Sequence, residues 1–298
     1  MISKVDLHLH STASDGQYTP VELVKMALER GLLVISITDH ESTEGVEPAL
    51  EAAKGTGLEV IPGVEISTDL PKREAHLLGY YINYHHPHLQ RELRLLRRSR
   101  RERAKGMIAK LADLGMPLEW KEVVKLAGNG SIGRPHIAQA MVERGYVAST
   151  DEAFANYIGR NGPAYVERYR LAPEEATRLI RAAGGLPALA HPANVLDLLP
   201  RLVKEGLVGL EAYYTGYSTK QMQDLAALAQ KYNLIPTGGS DFHGQSVFPA
   251  AELGGVWVPM ESAERLRELA GTSTETSLSN STLTVSLRAL IPVTRPGP

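Results

Sequence analysis

The stretch from Ile2 to Gly16, ISKVDLHLHSTASDG, sets two imidazoles two residues apart and a carboxylate five residues further on. A short apolar strand alternates its side chains between faces, so His8 and His10 point the same way, about 7 Å apart along the chain. Two imidazoles facing one small volume can hold a metal ion, or can stand as ordinary surface histidines. The rest of the chain carries more groups of the same kind: Asp39 and His40 in SITDH, Glu65 in IPGVEIS, His76 in REAHLLGY, His191 in ALAHP, and Asp241 and His243 in GGSDFH. Each has a plain structural explanation by itself, as a helix cap, a loop carboxylate or an Asx-type turn. Their recurrence is what argues for a site.

Those residues need elements to position them. Apolar or β-branched runs at Ile2–His8, Leu33–Thr38, Leu58–Val64, Ala75–Ile82, Leu186–Ala190, Leu207–Ala212 and Leu234–Thr237 predict seven strands. Over most of the chain they alternate with helical patterns, the signature of parallel strands joined by crossover helices. In TPVELVKMALERG, Thr19 can cap the helix, Pro20 fits its first turn and Gly31 closes it, and comparable patterns follow at Pro173–Ala183 and Thr219–Tyr232. On this layout five of the seven strands deliver a His or an acid at or just beyond their C-terminal ends, where barrel enzymes assemble their sites. His76 is the exception, near the start or middle of its strand.

The 298 residues suffice for a full-sized core, either as one α/β domain or as a domain with an insertion. The rhythm breaks between about His85 and Tyr169, where Leu93, Leu96, Met107, Ile108, Leu111 and Leu114 supply the apolar face of a helical lobe. A Ser/Thr-rich segment follows from Gly271; its LTVSLRALI could form a strand, but a weakly packed tail is the expectation. With no cysteine, disulfides and thiolate sites are excluded, so a metal must take nitrogen and oxygen donors. Such donors suit manganese, iron or zinc, and this many exceed what one four- to six-coordinate ion requires. Neither a signal peptide nor a membrane span is visible, which makes a cytoplasmic protein the expectation. The net charge of −2 argues against a general nucleic-acid coat, yet Arg91–Lys105 holds seven Arg and one Lys against two Glu.

The motifs DLHLHSTASDG, SITDHEST, PGVEIS, AHLLGY, LAHP and GGSDFHG, in this order, resemble those of the PHP (polymerase and histidinol phosphatase) domain phosphoesterases, over residues 1 to about 270. The resemblance implies an α/β fold, a distorted seven-stranded (β/α)7 barrel, formed by residues 1–84 and 170–270. It implies a metal site of His8, His10, Asp15, His40, Glu65, His76, His191, Asp241 and His243, with Glu65 bridging ions. Two or three divalent ions are implied, manganese first, with iron or zinc as alternatives. Within the family the chain is most similar to the branch of 3′,5′-nucleotide bisphosphate phosphatases and 5′-to-3′ exoribonucleases. GSIGRPHIAQAMVERG, in the lobe at 85–169, matches that branch's phosphate-binding element through Arg134 and His136. An Arg suits a phosphate dianion because its planar fork donates two parallel hydrogen bonds. The chain departs from the branch at Glu41, where Asp commonly follows TDH, and at HPANV, which lacks the basic or aromatic residues often seen there.

The implied activity is phosphate-ester hydrolysis by a metal-activated hydroxide, with Asp241, His243 and Glu65 in the catalytic centre. The implied substrate is a 3′,5′-bisphosphate nucleotide or short 5′-phosphorylated RNA, with no membrane and no obligate protein partner. The alternatives are a histidinol phosphatase, which the GRPHIA insertion weighs against, and a non-catalytic PHP binding module, which a candidate at every ligand position weighs against. His85, His86 and His88 fall outside the ligand pattern and are expected at the surface. Arg94, Arg98, Arg101 and Lys105 form a stripe on one helix face. Such a stripe is usually just solvated, but beside a phosphate site it could guide an anionic chain.

Overall fold

Seven strands lie in chain order in one sheet: β1 (Val5–Leu9), β2 (Val34–Ile37), β3 (Glu59–Asp69), β4 (Glu74–Tyr80), β5 (Leu186–Ala190), β6 (Gly209–Tyr214) and β7 (Ile235–Gly239). The computed structural model of the protein describes residues 3–70, 73–127, 132–167, 169 and 171–272. Beyond β7 the chain returns to β1, where His10 N–H donates to Phe242 O (3.1 Å) and Asp241 N–H to His8 O (2.9 Å). These bonds nearly close the sheet into a barrel. Asp6, buried on β1, tightens the seam by accepting from the Ser240 N–H (2.8 Å) and hydroxyl (2.6 Å) and from Gly254 N–H (2.8 Å).

The strands are not all parallel, and this corrects the sequence expectation. β1, β2 and β3 run parallel, as do β5, β6 and β7, but β4 is antiparallel to both its neighbours. Only residues 70–73 separate β3 from β4, far fewer than the dozen or so that a parallel crossover needs. The inversion accounts for His76. A residue near the start of an inverted strand lies at the same barrel end as the C-termini of the others, and His76 pairs with Ser67 on one side and Ala190 on the other. Glu65, expected where a strand finishes, instead sits inside the 11-residue β3, which runs on into the hairpin.

The helices α1 (Pro20–Glu29), α2 (Val46–Ala53), α7 (Pro173–Ala182), α8 (Leu199–Lys204) and α9 (Thr219–Lys231), with a last helix over residues 260–272, pack around the barrel. The start of α1 is as its sequence reads: Thr19 and Glu22 form a reciprocal capping box and Pro20 opens the first turn. Between β4 and β5 come the 27-residue α3 (Pro87–Asp113), α4 (Trp120–Ala127), α5 (Arg134–Glu143) and α6 (Thr150–Ala153). Leu89, Leu93 and Leu96 of α3 join the barrel's core, whereas Ala104, Met107 and Leu111 join a second core with α4, α5 and α6. Each fully buried Leu or Met there contributes about 2 kcal/mol. One helix thus fixes the lobe to the barrel. Leu114, expected on the apolar face, is 45% exposed because it lies at the helix C-cap. The segment LTVSLRALI and the rest of the expected tail beyond Thr272 lie outside the described residues. Among the described residues no helix is long and apolar enough to cross a membrane.

Candidate metal centre

Glu65 occupies the middle of the barrel mouth, 1% exposed. Its Oε2 lies 3.1 Å from His10 Nε2, 3.1 Å from His40 Nδ1 and 3.3 Å from His8 Nε2. Its Oε1 lies 2.8 Å from His76 Nδ1 and 3.2 Å from His191 Nε2. Asp241 Oδ1 adds contacts to His10 Nε2 (3.1 Å) and His8 Nε2 (3.3 Å), and Asp15 Oδ1 is 3.4 Å from His243 Nε2. All nine residues expected as metal ligands therefore converge. Three sets are close enough to hold an ion: His8, His10, Glu65 and Asp241; His10, Asp15, His40 and His243; and His40, Glu65 and His76. His191 stands outside these sets and approaches the centre through Glu65.

The local chain conformations follow from this convergence. Asp15 hangs over β1 on a tight turn in which Gly16 N–H donates to Ser11 O (2.9 Å). A Cβ on Gly16 would sit 2.1 Å from His10 O, so only glycine fits. Asp39 is not in the donor sets; its carboxylate takes the Ser11 N–H (2.7 Å) and the hydroxyls of Ser11 (2.7 Å) and Ser14 (2.6 Å), fixing the turn that presents Asp15. Glu41, His191 and Asp241 adopt left-handed backbone with φ of 47°, 27° and 54°. Each such non-glycine residue costs of order 1–3 kcal/mol and is held by its surroundings.

The electrostatics fit cations in the centre. Burial raises the cost of charge on Glu65, Asp241 and Asp15, but the neighbouring imidazoles outweigh it and hold all three well below the usual carboxylate range. Burial would lower His10, yet the close carboxylates of Asp241 and Glu65 push it up to about 10. For His40, burial wins and its pKa falls to about 3 despite Glu65 and Asp15. His10 Nε2, His40 Nδ1 and Asp15 Oδ1 are buried without a hydrogen bond, an arrangement proteins rarely leave. Divalent ions bound among nitrogen and oxygen donors would occupy those lone pairs, so the donor set fits the metals that its chemistry implies.

Sequence reading missed the residues that hold the donors from behind. Glu211, fully buried on β6, lies 2.8 Å from His8 Nδ1 and accepts from His191 N–H at 2.6 Å. With the His8 proton on Nδ1, its Nε2 lone pair faces the centre. Tyr214 donates its phenol to Asp241 Oδ2 (3.1 Å), which leaves Oδ1 for the histidines. A signal for Glu211 was present: an acid inside the apolar run GLEAYY is buried only when paired.

Arg134 and His136 open α5 beside this centre. Arg134 Nη2 is held by both oxygens of Glu74 (2.9 and 2.8 Å), and its guanidinium lies over the Phe154 ring. The described residues place no partner on its Nε and Nη1. His136 Nδ1 accepts from Gly133 N–H (3.0 Å), which puts the ring proton on Nε2. Burial lowers its pKa, and the charges that reach it belong to Asp15, Arg100 and His243. His85 and His88 are exposed and His86 caps α3, so this His cluster is a surface feature, as expected.

A family model for the PHP domain matches residues 6–102. Over 250 residues the chain is 36% identical to a 5′-3′ exoribonuclease of Haemophilus influenzae, covering 82% of this chain and 91% of that one. Over 250 residues it is 32% identical to a 3′,5′-nucleoside bisphosphate phosphatase of Chromobacterium violaceum, covering 81% and 88%. Among solved structures, a protein of Bifidobacterium adolescentis assigned as a metal-dependent phosphoesterase superposes with a TM-score of 0.79 at 29% identity, over 88% of this chain and 94% of that one.

Proposed function

The chain belongs to the PHP-domain family of metal-dependent phosphoesterases, and we propose that it hydrolyses phosphate esters of 3′,5′-bisphosphate nucleotides and of the 5′ end of short RNA. The observation that carries this reading is the juxtaposition of two unlike sites: a nine-residue donor cluster around the buried Glu65 and an Arg–His pair on an adjoining helix start. A substrate with two phosphates can occupy both at once. The similarity to the exoribonuclease and the bisphosphate phosphatase supports the same substrate class.

The donor sets suit two or three divalent ions, manganese first among nitrogen- and oxygen-liking metals, with iron or zinc as alternatives. When bound, such ions supply a water of lowered pKa and neutralise charge on phosphoryl oxygens. The protein's own part is positional. Glu65 presents one oxygen to each half of the cluster, and Asp241 turns Oδ1 inward because Tyr214 holds Oδ2. His243 Nδ1 is 2.8 Å from Asp241 O, and with its proton there Nε2 points to Asp15. The Arg134 guanidinium and the His136 Nε2–H donate to the phosphate that is not cleaved, and so set which ester bond lies over the cluster.

Metal analysis, joined to phosphate release from 3′,5′-bisphosphate nucleotides, histidinol phosphate and 5′-phosphorylated oligoribonucleotides, tests the reading. Two or three bound ions and turnover of the first or third substrate, abolished by chelation, are expected. Full turnover by exhaustively metal-stripped protein, or preference for histidinol phosphate, would overturn it.

A further inference from the structure

The long helix α3 shows two basic faces of different character. Arg97 and Arg100 turn toward the barrel. Arg100, 7% exposed, pairs through Nε with Glu41 Oε2 (2.5 Å) and donates from Nη2 to Ser67 Oγ (2.8 Å). Arg97 donates to Glu41 O (2.6 Å) and approaches Glu44 (3.4 Å). Both therefore grip the segment that follows His40. One flank of the helix is covered: Ser99 Oγ accepts from Tyr169 N–H, Arg103 is buried, and α7 packs alongside.

The other flank, beginning beside Arg97, is open and carries Arg94, Arg98, Arg101 and Lys105, all exposed. It adjoins the loop after β2, which holds His40 and which Arg97 grips. Lys105 is paired with Glu102 (3.0 Å), but Arg94, Arg98 and Arg101 have no carboxylate partner among the described residues. At its far end Trp120, half-buried, stands with its ring centroid 6.0 Å from Arg101 Cζ and 5.7 Å from Lys105 Nζ. From Arg94 to Lys105 the helix rises about 16 Å, long enough for several nucleotides. Guanidinium groups without acidic partners beside a partly open aromatic ring match the phosphates and bases of a single strand.

We propose that this open flank of α3 is a track for the RNA chain that leads away from the nucleotide seated at the metal centre. The proposal rests on RNA being a substrate, as read above, and adds where its remaining nucleotides lie. A bisphosphate mononucleotide has nothing to place on the track. A decanucleotide has.

The test uses the full-length, metal-loaded protein and the triple variant Arg94→Ala/Arg98→Ala/Arg101→Ala. Binding of a 3′-fluorescein-labelled, 5′-phosphorylated decaribonucleotide is followed by anisotropy against salt, and kcat/KM is measured on the decamer and on adenosine 3′,5′-bisphosphate. Each phosphate of a single strand that a cation ceases to neutralise lowers the salt slope by about 0.7, so the triple variant should lose about 2 in slope and about tenfold in decamer kcat/KM at low salt. Turnover of the bisphosphate should stay within about twofold, since counterion release at the track does not involve it. The Arg→Lys triple variant keeps the charge and should restore the slope, which a folding defect would not allow. An unchanged slope, or equal losses on both substrates, overturns the track. A wild-type protein that turns over the bisphosphate but neither binds nor cuts the decamer also overturns it, leaving the phosphatase reading intact. Failure on both substrates defeats the functional reading, and the binding slopes then judge the track alone.

Discussion

The candidate metal centre and the Arg134–His136 pair differ in how firmly the structure determines them. The centre draws donors from six of the seven strands and the turns that follow them, and Glu65 alone touches five imidazoles. Behind it Glu211, Asp39 and Tyr214 hold donors or their turns in single orientations. The pair, in contrast, hangs on one helix start of the inserted segment, partly exposed, with Arg134 shared by Glu74. The difference teaches a division of labour. On the proposed function, a many-stranded framework performs the chemistry, and a separately built surface chooses what is brought to it.

Three substitutions sharpen that comparison. Asp241→Asn keeps the shape and removes the charge of a residue that touches both His8 and His10. It should lower kcat by orders of magnitude on every phosphate ester while circular dichroism stays unchanged. Surviving activity would take Asp241 out of the donor set. Glu211→Gln leaves all the donors in place but weakens the hold on His8. A loss of about 10- to 100-fold in metal affinity or activity is expected, seen as a rightward shift of the metal-activation curve. An unshifted curve would make Glu211 a packing residue only. The smallest effect belongs to His136→Ala, which removes one neutral donor. It should cost about 1.5 kcal/mol, roughly tenfold in kcat/KM, on a bisphosphate nucleotide, and leave p-nitrophenyl phosphate unaffected. Loss on the latter would place His136 at the reacting phosphate.

The sequence made the donors legible because imidazole and carboxylate recur in short, ordered motifs, but it could not show what depends on strand direction or helix rotation. His76 looked misplaced until β4 proved antiparallel. The boundaries of β5 were read to the residue, whereas β3 runs five residues past its expected end because the hairpin prolongs it. Arg97 and Arg100 were hidden among seven arginines, since the composition of a basic run does not say which side meets the barrel. Glu211 and Asp6 sit in apolar strands as single acids, and their partners are supplied only by the closed barrel.

The division of labour is tested most directly by the ratio of kcat/KM for a 3′,5′-bisphosphate nucleotide to that for p-nitrophenyl phosphate, compared between Arg134→Ala and Asp241→Asn. Removing a charge-assisted Arg–phosphate contact should cost about 2–4 kcal/mol, roughly 30- to 1000-fold, on the bisphosphate. An ester with no second phosphate should lose little, and bound metal should not change. The ratio should therefore collapse in Arg134→Ala and hold steady in Asp241→Asn, where both substrates fail together. Equal losses on both substrates in Arg134→Ala would contradict the account, because this Arg would then serve the reacting phosphate or the fold.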